Sequence, residues 1–208
     1  MSTWAQVLES VREAVERERD ELGRLDAAAG DGDLGVTMTA AAAGAAALAA
    51  CGELDGKSPG EALRALGLEL ARCAPSTSGT LFARGLLQAS REAGTRTGDP
   101  PVVLAAALVQ AGIDGIERAG KAQAGDRTML DALVPLSEAL QGAAQRGEPP
   151  AAAAAGAAQA ATAGAEATRL MAAKIGRASW IPERAMGNVD AGARAVAVIA
   201  AAVARAIG

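Results

Sequence analysis

Three aspartates crowd into one short run, LDAAAGDGDLGVTM at 25–38. Asp26, Asp31 and Asp33 are separated by five and two residues, with no lysine or arginine among them. Two carboxylates held ~4 Å apart repel by about 1 kcal/mol even in water, and by more when partly desolvated. Such a cluster calls for a cation. All-oxygen ligation suits Mg²⁺, which takes a few carboxylates and completes its octahedron with water and phosphate oxygens. A glycine-rich loop at this spacing lets all three side chains converge. A calcium-binding EF-hand loop is excluded, because its twelfth position would be Ala42 counted from Asp31, or Thr37 counted from Asp26, instead of glutamate. The plainer alternative is a solvated acidic loop in which Asp33 caps the helix that follows.

Other polar stretches suit a phosphate. Ser78 and Gly79 in PSTSG (75–79), and Thr128 in GKAQAGDRTM (120–129), put hydroxyls and backbone amides where helices are expected to begin. Helix N-termini attract anions. Arg177, in the long loop KIGRASWIPERAMGNVDAG (174–192), supplies a fixed positive charge. No GxxxxGK[ST] loop and no kinase HRD…DFG set is present, so any nucleotide site is of another type. The chain has no histidine. Ser-His-Asp hydrolysis, Cys-His proteolysis, a phosphohistidine relay on this chain and most zinc chemistry are therefore excluded.

The elements that must position these residues read as helices. Half of the 208 residues are hydrophobic, alanine dominates them, and Trp4, Phe82 and Trp180 are the only aromatic residues. Alanine is the best helix former and β-branched residues are sparse, so the expectation is an all-α fold, one domain over 1–208. Trp4, Val7, Leu8, Val11 and Val15 follow the helical period and predict a first helix over about 3–22. Further helices are expected over about 35–51, 58–74, from PSTSG to about 92, 102–118, from Thr128 to about 145, 151–172 and 191–206. In SPGE (58–61), Ser58 can cap, Pro59 suits the first helical position and Glu61 can reach back. Pro135 lies inside the sixth helix and predicts a kink there. Eight helices with short connections alternate in direction. The loops after helices one, three, five and seven then share one end, and they are the polar, glycine-bearing ones. One rim of a helical bundle is expected to hold the function.

A formal charge of −4, a pI near 5.0 and the lack of any basic block argue against nucleic acid. Cys51 and Cys73 have no metal-ligand spacing and read as small helix-packing residues in a reducing compartment. The amphipathic, acidic N-terminus is unlike a signal peptide. The apolar runs near 40–50 and 151–164 are mostly alanine and glycine, too weakly hydrophobic for membrane spans. A soluble, cytoplasmic protein is expected.

Taken together, LDAAAGDGDLGVTM, SGTLF, GKAQAGDRTMLDALVP and GRASWIPERAMGNVDAGA resemble the nucleotide-binding L subunit of dihydroxyacetone kinases, in order and spacing, over essentially the whole chain. The resemblance implies a barrel of eight antiparallel amphipathic helices with ADP or ATP at one rim. It places two Mg²⁺ ions on Asp26, Asp31 and Asp33, and phosphate contacts on Leu34, Gly35, Val36 and Thr37 and on Thr77 and Ser78. Gly120 and Met129 match positions beside adenine and ribose, although Met129 reads equally well as core packing. Arg177, with Asp190, Ala191 and Gly192, matches a lid-like loop, and Arg177 is the candidate catalytic residue. The resemblance further implies a separate K subunit that holds dihydroxyacetone through a histidine and supplies acid and base. A phosphohistidine carrier protein that rephosphorylates bound ADP is the family's other mode. Three departures stand out: Leu34 where the family has histidine, PSTSG in place of a glycine pair, and NVDAG in place of HxDPG. They fall on the phosphate turns and the lid, and none falls on a metal position. A different small ketose or tetrose as acceptor, or a non-catalytic Mg-nucleotide-binding regulator, are the alternative readings.

Overall fold

A computed structural model of the chain describes residues 3–208. The described residues form helices α1 (Thr3–Arg17), α2 (Arg19–Ala27), α3 (Leu34–Ala50), α4 (Pro59–Cys73), α5 (Thr77–Ala93), α6 (Pro101–Gly120), α7 (Leu130–Arg146), α8 (Pro150–Ala167), α9 (Pro182–Ala185) and α10 (Ala191–Ile207), with no strand among them. Two 3₁₀ turns, Thr168–Leu170 and Arg177–Trp180, punctuate the segment before α10. The long helices pack in a closed ring, α1 on α3, then in order through α4, α5, α6, α7 and α8 to α10, which returns to α1. The all-α expectation holds.

Small residues let this ring close tightly. Val15, Leu22, Ile113, Leu130, Ala132, Ala161, Ala193 and Ala202 are buried, with alanine supplying much of the interior. A second buried cluster lies between α3, α4 and α5, with Trp4 and Leu8 packed against it. Where α5 meets α6, a Cβ on Gly115 would come within 2.8 Å of the Gln88 Cβ, so glycine sets the helix spacing there. Cys73 is half-buried and packs beside Gly44, but Cys51 is exposed at the end of α3. The packing role expected for Cys51 is therefore corrected: its thiol donates to the Leu48 carbonyl (3.3 Å) at a solvated helix end.

Three other expectations change. The first helix does not stop near residue 22; it breaks at Glu18 and continues as α2 to Ala27, so Asp26 sits on a helix and not in a loop. Glu18 is held at the break by Arg194 of α10 (2.8 Å). The break lets α2 lean on the start of α3, where a Cβ on Gly35 would collide with the Arg19 carbonyl oxygen. The helix expected to begin at Thr128 starts at Leu130. It runs unbroken through Pro135, which has no N–H for the Asp131 carbonyl; Gly164 of α8 packs against that same oxygen. The helix expected to reach residue 172 ends at Ala167, because the Thr168 hydroxyl turns back onto the Ala165 carbonyl and accepts the Asp190 amide (2.8 Å). No helix of the described residues is long and apolar enough to cross a membrane.

Candidate functional site

Four connections meet at one end of the ring: 28–33 after α2, 74–76 after α4, 121–129 after α6 and 171–190 before α10. Residues from all four line one cavity of about 1440 Å³. This is the rim expected from alternating helix directions.

The acidic cluster forms one wall. Asp26 projects half-buried from the last turn of α2, while Asp31 and Asp33 are exposed on the loop, and one carboxylate oxygen from each lies within 4.8 Å of the others. Gly32 permits this with a left-handed φ of +79°. The Gly30 amide bonds back to the Asp26 carbonyl (2.5 Å), and the Leu34 amide donates to the Asp26 carboxylate (3.3 Å). Desolvation pushes the Asp26 carboxyl above its ordinary range, opposed by the Leu34 amide and reinforced by repulsion from Asp31 and Asp33. Asp31 is held below its ordinary range, chiefly by its hydrogen bond and ion pair with Arg177. Asp33 occupies the N-cap position of α3, but its side chain makes no cap bond. The plainer role for it, as a capping residue, is not what the fold uses. Three hard oxygen donors, mutually repelling and close enough to share an ion, fit Mg²⁺.

Helix starts form the facing walls. Ser76 caps α5 by accepting the Gly79 amide (3.1 Å), so Thr77 and Ser78 lie within the first turn, and both line the cavity. Gly79, expected to offer a phosphate amide, is instead packed so closely on the Ala74 carbonyl that a Cβ would collide with it. Thr128 also departs from expectation. Its amide is taken by the Asp131 carboxylate (2.7 Å), which also accepts the Gly125 amide (2.5 Å), and its hydroxyl accepts from Leu130 (3.2 Å). Asp190 caps α10 through the Ala193 amide (2.8 Å), and desolvation at the cavity wall pushes its carboxyl from 3.8 up to about 6.

Of the residues singled out in the sequence, Asp26, Asp31, Asp33, Leu34, Thr77, Ser78, Gly120, Met129, Arg177, Asp190, Ala191 and Gly192 line the cavity. Gly35, Val36 and Thr37 do not: Gly35 faces α2, Val36 is 58% exposed on the outer side and Thr37 is buried. The Gly35 and Val36 amides have no hydrogen-bond partner among the described residues, so the start of α3 can offer its backbone alone. Met129 is 5% exposed and packed in the core, and it also lines the cavity. Sequence reasoning missed Arg127, a buried arginine on the same wall; its place inside GDRTM was the available signal.

Residues 28–205 match the family model described as the DAK2 domain. The chain belongs to the DAK2 domain family. This DAK2 domain is 38% identical over 200 residues to a D-erythrulose kinase of Mycolicibacterium smegmatis, covering 96% of this chain and 34% of that protein. It is 36% identical over 199 residues to the triokinase/FMN cyclase of Homo sapiens, covering 96% and 34%. The crystal structure of the dihydroxyacetone kinase from C. freundii in complex with AMP-PNP and Mg²⁺ matches the DAK2 domain with a TM-score of 0.78 at 30% identity, covering 97% of this chain and 33% of that one. The chain thus spans about a third of the length of the relatives it matches.

Proposed function

We propose that this DAK2 domain, as a single domain over 1–208, is the Mg-nucleotide-binding, L-type unit of a kinase that phosphorylates dihydroxyacetone or a similar small ketose. The observation that carries the reading is the convergence of Asp26, Asp31 and Asp33 within 4.8 Å on a cavity also lined by Arg177 and by the open first turn of α5. Carboxylates, helix-start donors and a loop cation are the parts that in-line phosphoryl transfer uses. Kinase relatives of the same fold, one of them solved with AMP-PNP and Mg²⁺, support it.

In this reading Asp26, Asp31 and Asp33 hold Mg²⁺, one ion or two, which when bound neutralises charge on the phosphate oxygens. The turn Leu34, Gly35, Val36 and Thr37, through the unpartnered amides of Gly35 and Val36, and the hydroxyls of Thr77 and Ser78 orient the phosphates at the N-termini of α3 and α5. Gly120 and Met129 flank the nucleoside, and Asp190, Ala191 and Gly192 close the site beside them. Arg177 is the catalytic residue, its guanidinium moving from Asp31 to the transferring group. The chain has no histidine to hold a carbonyl sugar, which agrees with an acceptor held outside these residues by a K-type unit, in this reading a separate subunit. The nucleotide either exchanges as ATP or stays as ADP and is recharged by a phosphohistidine carrier protein.

Calorimetric titration of ADP into the metal-free chain, with and without Mg²⁺, tests the reading. Binding that requires Mg²⁺ is the expected outcome. A folded, nucleotide-free protein that binds ADP in neither condition would reduce the likeness to a shared scaffold.

A further inference from the structure

The segment 171–190, which carries Arg177, is tied to two consecutive residues of the α6–α7 connection. Near its start the Lys174 amide donates to the Asp126 carbonyl (3.2 Å), and the Lys174 ammonium lies 3.5 Å from the Asp126 carboxylate. Near its end one nitrogen of Arg127, Nη2, donates to the Ala185 carbonyl (2.7 Å) and the Asn188 carbonyl (3.0 Å). A further tie joins Gly187 and Arg169 by reciprocal bonds, Gly187 N–H to the Arg169 carbonyl and Arg169 Nη1 to the Gly187 carbonyl.

Arg127 is an unusual residue to find in this place. It is 5% exposed, its backbone is left-handed at φ +63°, and its Nε is buried without a hydrogen-bond partner. A buried guanidinium and a non-glycine left-handed backbone both oppose folding, so they persist only where their surroundings over-determine them. Those surroundings are cross-linked by hydrogen bonds. Asp126 accepts the Gln123 amide (2.9 Å), and Asp131 takes the amides of Gly125 and Thr128. The base is also continuous with the cavity wall, since Arg127, Met129 and Gly192 all line it and a Cβ on Gly192 would come within 3.4 Å of the Met129 Cβ.

We infer that Asp126 and Arg127 form a clasp that sets the span of the lid between Lys174 and Asn188, and through it the position of the Arg177 guanidinium. Arg127 is a positioning residue, touching the lid backbone and acting through Arg177. The inference rests on the phosphoryl-transfer reading above, because displacing a catalytic group by about 1 Å can lower a rate on the order of 100-fold.

The lid carries its own protease sites at Lys174, Arg177 and Arg184. In the full chain, Arg127→Met removes both donors to the lid while filling similar space. With its helix content verified by circular dichroism, it is expected to be cut by trypsin at Arg177 and Arg184 at least about tenfold faster than the parent, followed by mass spectrometry. With the acceptor-holding subunit present, kcat should fall about tenfold or more while KM for the nucleotide changes less than about threefold. Arg127→Lys, which keeps the charge and one donor, should lie between the two and carries the same readouts if Arg127→Met does not fold. An unchanged cleavage rate would overturn the clasp. Faster cleavage with an unchanged kcat would leave an anchor for a loop and overturn the positioning role. Failure of the parent chain to bind Mg-ADP would sink the nucleotide reading alone, and the cleavage rates would still decide the clasp.

Discussion

The two ends of the helical ring treat their polar groups in opposite ways. At the end away from the cavity, charged side chains complete one another. Ser58 and Glu61 cap α4 reciprocally, Arg96 bonds Glu92 (2.6 Å) and Asp99 (3.2 Å), and Arg146 bonds Glu148 (2.7 Å). The left-handed residues there, Gly52, Gly56, Gly98 and Gly147, are glycines, which adopt that backbone without strain. At the rim, three carboxylates face each other, Arg127 keeps a buried nitrogen without a partner, and the first turn of α5 opens onto a cavity. Among the described residues the two non-glycine left-handed positions, Lys121 and Arg127, are both at the rim. One end is closed by its own side chains; the other leaves polar groups facing a cavity.

That contrast can be broken by experiment. The largest effect should come from Asp31→Asn, which removes a donor from the cluster and the partner of Arg177. Affinity for ADP in the presence of Mg²⁺ should fall on the order of 100-fold by calorimetry, with helix content unchanged. Normal affinity would mean the cluster is not the metal site. Next is Gly35→Ala, where a Cβ meets the Arg19 carbonyl with no flexible side chain to yield. A loss of about 3 kcal/mol in urea unfolding is expected from such overpacking. A neutral result would show that α2 and α3 are not locked together at the rim.

Asp190 gives a pH test of intermediate size. Its folded carboxyl titrates near 6 against an ordinary 3.8, so the folded state holds its proton the more tightly. Stability from this group is present below about pH 4 and is lost as pH rises through 6, by roughly 3 kcal/mol in all. Stability of the metal-free parent, measured relative to Asp190→Asn, should decline over that window; a flat difference would place the carboxyl in water. The smallest effect belongs to the closed end. Gly147→Ala, at φ +65° with open space around it, should cost about 1 kcal/mol from its left-handed backbone and leave nucleotide affinity unchanged. A change in affinity there would show that the two ends are coupled.

Much of the rim was legible in the chain, for identifiable reasons. Capping at Ser58 is written in four adjacent residues, and the acidic cluster in eight, because local spacing alone brings those groups together. Alternating helices then assigned the four polar loops to one end without any contact being known. What could not be read were features that depend on a second element. Gly35 and Gly79 looked like phosphate-loop glycines, yet their nearest neighbours are the carbonyls of Arg19 and Ala74. Thr128 looked free until Asp131 folded back on it.

The sequence by itself determined an all-α chain, from alanine content and helical period, and a candidate divalent-cation site, from three carboxylates too close to be left unpaired. Only the tertiary structure decided that Asp26 belongs to a helix, that Arg177 reaches Asp31 across 146 positions, and that Arg127 is buried under the lid. Those outcomes turn on which helices meet when the ring closes. The closing contacts join residues far apart in the chain, where composition and local spacing carry no information.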